Sequence, residues 1–207
     1  MTHDHIHWLG HASFRIEDED EQIYIDPWKL VPGSPEADVV FITHAHYDHF
    51  SVEDIDRVTK EVTTIVAPKD VAAQLKGAVV AVEPNKNYRF ARLSIQTIPA
   101  YNLDKKFHPR DNNWVGYIIT LSTGQKIYHS GDTDFTPEMR SVVADVAFLP
   151  CGGTYTMSAK EAGGAANILK PQLLIPMHWG DIVDTRADAE ELKKSFKGAT
   201  AIKSLER

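Results

Sequence analysis

Thr43-His44-Ala45-His46-Tyr47-Asp48-His49 gathers three imidazoles and one carboxylate within the six positions from His44 to His49. Imidazole nitrogen and carboxylate oxygen are the donors that zinc, iron and manganese accept. In an extended or turning segment, side chains two apart point the same way, so His44 and His46 share a direction. A turn after them can aim Asp48 and His49 at a neighbouring point, a spacing that suits two adjacent metal ions. The chain's ten histidines fall in a few short clusters, which is itself a metal signal.

The element that must carry the motif is the run Ala37 to Ile42, nearly all apolar toward its end, as a strand covered on both faces should be. Before it, Ile6 to Leu9, Ser13 to Glu17 and Gln22 to Ile25 read as strands of one sheet. After it, Ser51 can cap a helix through the amides ahead of Asp54, Thr64 to Ala67 reads as a strand, and Pro68 suits the first turn of a further helix. Leu93 to Ile98, Trp114 to Leu121, Lys126 to His129 and Asp145 to Leu149 predict a second sheet, with a hairpin turn at Ser122-Thr123-Gly124. Ser158-Ala159-Lys160-Glu161 has the capping-box spacing and opens a helix that lasts until Pro171. Leu173 to Pro176 is a buried strand that leads to His178. Thr185 to Lys197 is a helix with acids early and lysines late, and Gly198 follows it.

Composition narrows the classes. The 207 residues, 43% hydrophobic and 25% charged, predict one soluble globular domain over 1–207, with no linker, repeat or low-complexity tract. A formal net charge of -7 argues against nucleic acid as a partner, because such binding rests on Lys and Arg displacing counterions. No basic start followed by an apolar run opens the chain, and no 18-residue apolar stretch occurs, so the expectation is a cytoplasmic protein with no membrane partner. The lone Cys151 rules out an internal disulfide and suits a reducing compartment.

With its H-x-H-x-D-H motif at the end of a strand, the chain resembles the metallo-β-lactamase superfamily, from about Trp8 to Gly180. The resemblance implies an α/β fold, a four-layer αββα sandwich. It also implies metal ligands at His44, His46, Asp48, His49, Asp132 in Ser130-Gly131-Asp132-Thr133, and His178 in Ile175-Pro176-Met177-His178. Asp26, which ends an earlier strand, matches the family's acidic position there. Gly10-His11-Ala12-Ser13, Tyr128-His129-Ser130-Gly131-Asp132-Thr133 and Gly152-Gly153-Thr154-Tyr155-Thr156-Met157 are similar to the branch of ascorbate-phosphate lactonase-like proteins and small hydrolases. One position departs from the pattern: Asn102 stands where the family has a third histidine. Either its amide oxygen serves, or His108 reaches in, or a single metal is held firmly.

Around these ligands, His11 is expected to contact substrate or a ligand, Asp26 to accept the ring proton of a ligating histidine, and His129 to pack behind the ligands. His3, His5 and His7 alternate along a polar edge strand. Lys105, Lys106, His108 and Arg110 either steady an anionic group or form a solvated loop. Cys151 has no basic neighbour and no nucleophilic role. The resulting expectation is hydrolysis of a small, anionic ester, a lactone or phosphodiester, by water activated on one or two divalent ions, zinc first and manganese or iron next. Asp48 is the expected catalytic residue. A metal-binding or ligand-sensing protein without turnover, a redox di-metal protein of the same fold and a nuclease are the rivals. Oligomeric state is left open.

Overall fold

The computed structural model describes residues 3–90 and 92–207. They divide into two compact units, Met1–Val82 with Lys203–Arg207, and Glu83–Ile202. Among the described residues, no helix is long and apolar enough to cross a membrane.

In the first unit six strands form one sheet in chain order: β1 (Ile6–Gly10), β2 (Ser13–Asp18), β3 (Glu21–Ile25), β4 (Ala37–Phe41), β5 (Thr59–Pro68) and β6 (Ala78–Val82). The first three pair antiparallel and the rest parallel. Parallel pairing needs crossovers, and α1 (Val52–Val58) and α2 (Lys69–Ala72) supply turns of helix in two of them. β4 is buried along most of its length, with Val40 and Phe41 fully so, as its apolar run requires. Leu9, Tyr24, Val40, Ile42, Ile55 and Ile65 belong to one buried cluster that ties α1 to the sheet. Ser51 caps α1 by accepting from the Asp54 amide, as expected.

The second unit repeats this plan with seven strands: β7 (Asn87–Phe90), β8 (Leu93–Pro99), β9 (Val115–Thr120), β10 (Lys126–His129), β11 (Val146–Pro150), β12 (Leu173–Met177) and β13 (Ala199–Thr200). Strands β7 to β10 pair antiparallel, and β10 to β13 parallel. Helices α3 (Ala159–Leu169) and α4 (Arg186–Ser195) both begin in complete capping boxes, at Ser158 and Thr185.

Several expectations need correction. β5 starts at Thr59, well before Thr64: Thr59 pairs with Ala37 of β4, and the irregular stretch before Thr64 is pinned by Lys60 N–H donating to Thr63 Oγ1 and by Thr63 Oγ1 donating to Ala37 O. Strands β6 and β7 were not expected: β6 is a five-residue apolar run and β7 alternates polar and aromatic residues over only four positions, and pairing of β6 with β5 and of β7 with β8 makes them strands. Pro68 ends β5 as the N-cap of a helix of only four residues, one position ahead of its first turn. α4 stops at Ser195 because Phe196 turns extended. Gly198 is therefore no helix cap: a Cβ there would meet the Phe196 ring at 2.4 Å, so its smallness makes room for that ring. His3 and His5 precede β1, and only His7 lies on this edge strand, its ring held between Glu17 and Glu206.

Candidate metal centre

In each unit the residues with chemistry sit just past the carboxyl ends of strands, where an α/β sheet delivers side chains clear of its hydrogen-bond ladder. Asp26 follows β3 and Thr43-His44 follows β4; Asp132 follows β10, Gly152 follows β11 and His178 follows β12. The chain leaves two of these places, and the end of β1, abruptly. His11, Asp26 and His178 have φ of 52°, 48° and 61°, and His108 in its loop has 60°. Left-handed backbone is uncommon outside glycine, with Asn, Asp and His the better tolerated, and it concentrates at functional sites.

Asp26 organises the first unit's histidines. Fully buried, its Oδ1 accepts from the Thr43 amide at 2.8 Å, and its Oδ2 accepts from Thr43 Oγ1 at 2.7 Å and faces His49 Nδ1 at 2.7 Å. Because the Thr43 hydroxyl spends its one proton on Asp26, it must accept from His44 Nδ1, 2.9 Å away. Both imidazoles are thereby assigned their proton on Nδ1, which leaves the Nε2 lone pair for a metal. The His44 and His49 ring centroids are 4.0 Å apart, and those of His44 and His46 4.8 Å. The 46–50 turn is closed by the His49 and Phe50 amides donating to His46 O.

Asp48 projects from that turn. Its Oδ2 lies 3.0 Å from His11 Nε2, and its side chain is 13% exposed against 0% for His11 and His49. His11, Asp48 and His49 each offer one donor atom within 4.8 Å of the others. The His11 carbonyl accepts from Trp8 Nε1 at 2.9 Å, which fixes this sharp turn.

In the second unit, Asp132 is 3% exposed, and its Oδ2 lies 3.0 Å from His178 Nε2 and 3.4 Å from His108 Nε2. His108 thus shares this cluster. Asn102 takes a different part: its Nδ2 donates to Phe107 O at 2.9 Å and to Tyr155 O at 2.6 Å, and lies 3.3 Å from His108 Nδ1. It clips two loops together and steadies His108, while its buried Oδ1 has no hydrogen-bond partner. His129 is fully buried with Nδ1 accepting from the Gly131 amide at 3.2 Å, so it shapes the turn that presents Asp132. Gly116 lets β9 close on the same turn, since a Cβ there would lie 2.7 Å from both His129 O and Ser130 O.

Sequence reading missed Thr43 as the hydroxyl that links Asp26 to His44, although it stands beside the motif. It also missed Asp134, which accepts from the Leu103 amide at 2.9 Å and pairs with Lys105, and Asp54, whose carboxylate holds the Lys29 and Leu30 amides at 2.8 and 2.9 Å. The basic loop is less free than its sequence suggests: Lys105 is taken by Asp134, and Arg110 lies 2.6 Å from Glu138. Burial pushes the Cys151 thiol far up, with Asp184 and Asp188 adding to the shift, which leaves it un-ionised and inert. Burial also raises Asp184, against the pull of His178.

The donors of each unit, taken by itself, are of the kind a borderline divalent ion accepts: buried imidazoles beside a carboxylate, with carboxylate and hydroxyl partners behind the rings of the first. The profile described as the Beta-lactamase superfamily domain matches residues 5–178. The chain belongs to that superfamily. Its fold is the metallo-β-lactamase fold. Among curated relatives, a UPF0173 metal-dependent hydrolase of Thermofilum pendens is 33% identical over 96% of this chain and 93% of its own length. A Pyrococcus furiosus protein of the same description is 35% identical over 90% and 89%. Among solved structures, one described as a metal-dependent hydrolase from Parabacteroides distasonis superposes with a TM-score of 0.86 at 32% identity, covering 97% of this chain and 93% of that one. A Thermotoga maritima member of the metallo-β-lactamase superfamily, described as a Zn-dependent hydrolase, gives 0.64 at 26% identity over 93% and 86%. Within the superfamily, the motif His44 to His49 and the residues Asp132 and His178 fall inside the matched span.

Proposed function

We propose that this member of the superfamily is a metal-dependent hydrolase of a small ester, a lactone or a phosphodiester, working with one or two divalent ions, zinc foremost. The observation that carries the reading is the assignment of His44 and His49 to the Nδ1–H form by Thr43 and Asp26, which readies both rings to ligate through Nε2. The ligand set is the one the family resemblance names: His44, His46, Asp48, His49, Asp132 and His178. His108 takes the place of the histidine absent at 102, supported by its Nε2 lying 3.4 Å from Asp132.

A bound divalent ion lowers the pKa of a coordinated water toward neutrality and polarises the scissile group. Asp48, held by His11 and partly open to solvent, orients the attacking water and accepts its proton. Lys105 and Arg110 are engaged by Asp134 and Glu138, so bound divalent ions would meet negative charge on the substrate ahead of these two side chains.

Elemental analysis of protein purified without chelator, joined to an assay on lactones and phosphodiesters with and without added zinc or manganese, tests the proposal. Bound metal and metal-dependent ester cleavage are expected. A chain that takes up no metal on reconstitution, or that cleaves esters equally well after stripping, overturns it.

A further inference from the structure

Resting on that reading, we infer that Asp184 is the positioning carboxylate of His178, seated in a space that Gly152 leaves open for it. The backbone of Gly152 lies outside the left-handed region, so conformation does not call for glycine at this place. Space does. A Cβ on Gly152 would fall 1.4 Å from Asp184 Oδ2 and 2.1 Å from its Cγ, so the carboxylate fills the volume a side chain would occupy. Gly152 follows β11 and His178 follows β12, and these strands are parallel neighbours in which Pro150 pairs with Met177. The carboxylate seated on the first strand end therefore faces the ring carried by the second.

His178 directs Nε2 at Asp132, 3.0 Å away, and its Nδ1 lies 4.0 Å from Asp184 Oδ2. That is ion-pair reach, and a modest side-chain rotation brings it to hydrogen-bond length. Asp184 is 10% exposed at its side chain, and among the described residues His178 is the one basic group within ion-pair distance of it. The backbone holds it there: Gly180 N–H donates to Asp184 O at 3.1 Å, Asp184 takes a φ of 63°, and the Thr185 capping box of α4 follows at once. Asp26 stands to His49 Nδ1 in the other unit in the same role, there already at hydrogen-bond length, 2.7 Å. A carboxylate on the far nitrogen of a ligating imidazole fixes ring orientation and raises basicity.

The test uses the full-length chain stripped of metal, with zinc alone as the probe, titrated against a chromophoric chelator. Asp184→Ala is expected to weaken zinc affinity by about 10- to 100-fold. In the zinc-loaded protein it is also expected to remove the exchange-protected Nδ1–H resonance of His178 from the NMR spectrum. Gly152→Ala should reproduce both effects by displacing the carboxylate, and the double variant should be no worse than Asp184→Ala alone. Thermal melts of the metal-free variants separate unfolding from loss of affinity. If His178→Ala loses zinc while Asp184→Ala keeps wild-type affinity and the protected resonance, this inference is wrong and the hydrolase reading stands. If His178→Ala binds zinc unchanged, this inference falls; if the wild type takes up neither zinc nor any other divalent ion, both fall.

Discussion

At the scale of single residues, Asp48 and Asn102 show how partners set a side chain's role. Asp48 has one oxygen engaged by His11 and a partly exposed side chain, so Asp48→Asn is expected to keep the fold and some of the metal while turnover falls by about 100-fold or more. Wild-type kcat with metal confirmed would remove Asp48 from the chemistry. For Asn102, the family pattern alone suggests that restoring a histidine should add a ligand. Its hydrogen bonds argue the other way, because the Asn102 amide donates to two backbone carbonyls that a histidine cannot serve together. Asn102→His is therefore expected to lower stability by about 1–3 kcal/mol without raising metal stoichiometry, whereas His108→Ala should weaken zinc binding at least about tenfold. Calorimetric titration of both variants decides: higher stoichiometry in Asn102→His would make position 102 the ligand site after all.

Among the elements, the strand ends matter most. β9 can approach the turn after β10 only because Gly116 has no side chain, and the atoms a Cβ would strike are the backbone oxygens of His129 and Ser130, which cannot step aside cheaply. Gly116→Ala should cost about 1–3 kcal/mol, seen as a Tm lower by several degrees, and it should disturb metal uptake through the displaced Asp132 turn. An unchanged melt would show that the two strands have slack. The helices carry less of this burden: their boundaries follow from caps at Ser51, Ser158 and Thr185 that are local in sequence.

Across the whole molecule, burial sets a limit on alkaline stability. Tyr24 is fully buried and donates to Pro35 O at 2.8 Å, and burial pushes its phenol up to about 12, with Arg15 acting in the opposite direction. The folded state thus keeps a proton that the unfolded chain gives up near the ordinary value of 10.0. The sign follows: this contribution is complete below that value, and stability falls as pH rises from it toward about 12. Denaturant melts at a series of pH values across that window should show the decline in the wild type and a shallower one in Tyr24→Phe. Equal slopes in the two would assign the alkaline loss to other groups.

Taken by itself, the sequence was enough for the family, for most strands, and for the ligand candidates, because these are written locally: an apolar run, a cap, a histidine motif within one turn. Ala37 to Ile42 announced a buried strand, found over Ala37–Phe41, and the residues after it announced metal chemistry. What depended on residues far apart in the chain was decided only by tertiary structure. That Thr43 links His44 to Asp26, that Asn102 braces Tyr155 from 53 positions away, and that Gly152 is small to seat Asp184 are facts of packing. No local pattern encodes them, since each depends on which strand ends and loops the fold brings together. Strands β6 and β7 escaped for a related reason: segments of only five and four residues become strands when a neighbour offers its hydrogen bonds, and the neighbour is chosen by the fold.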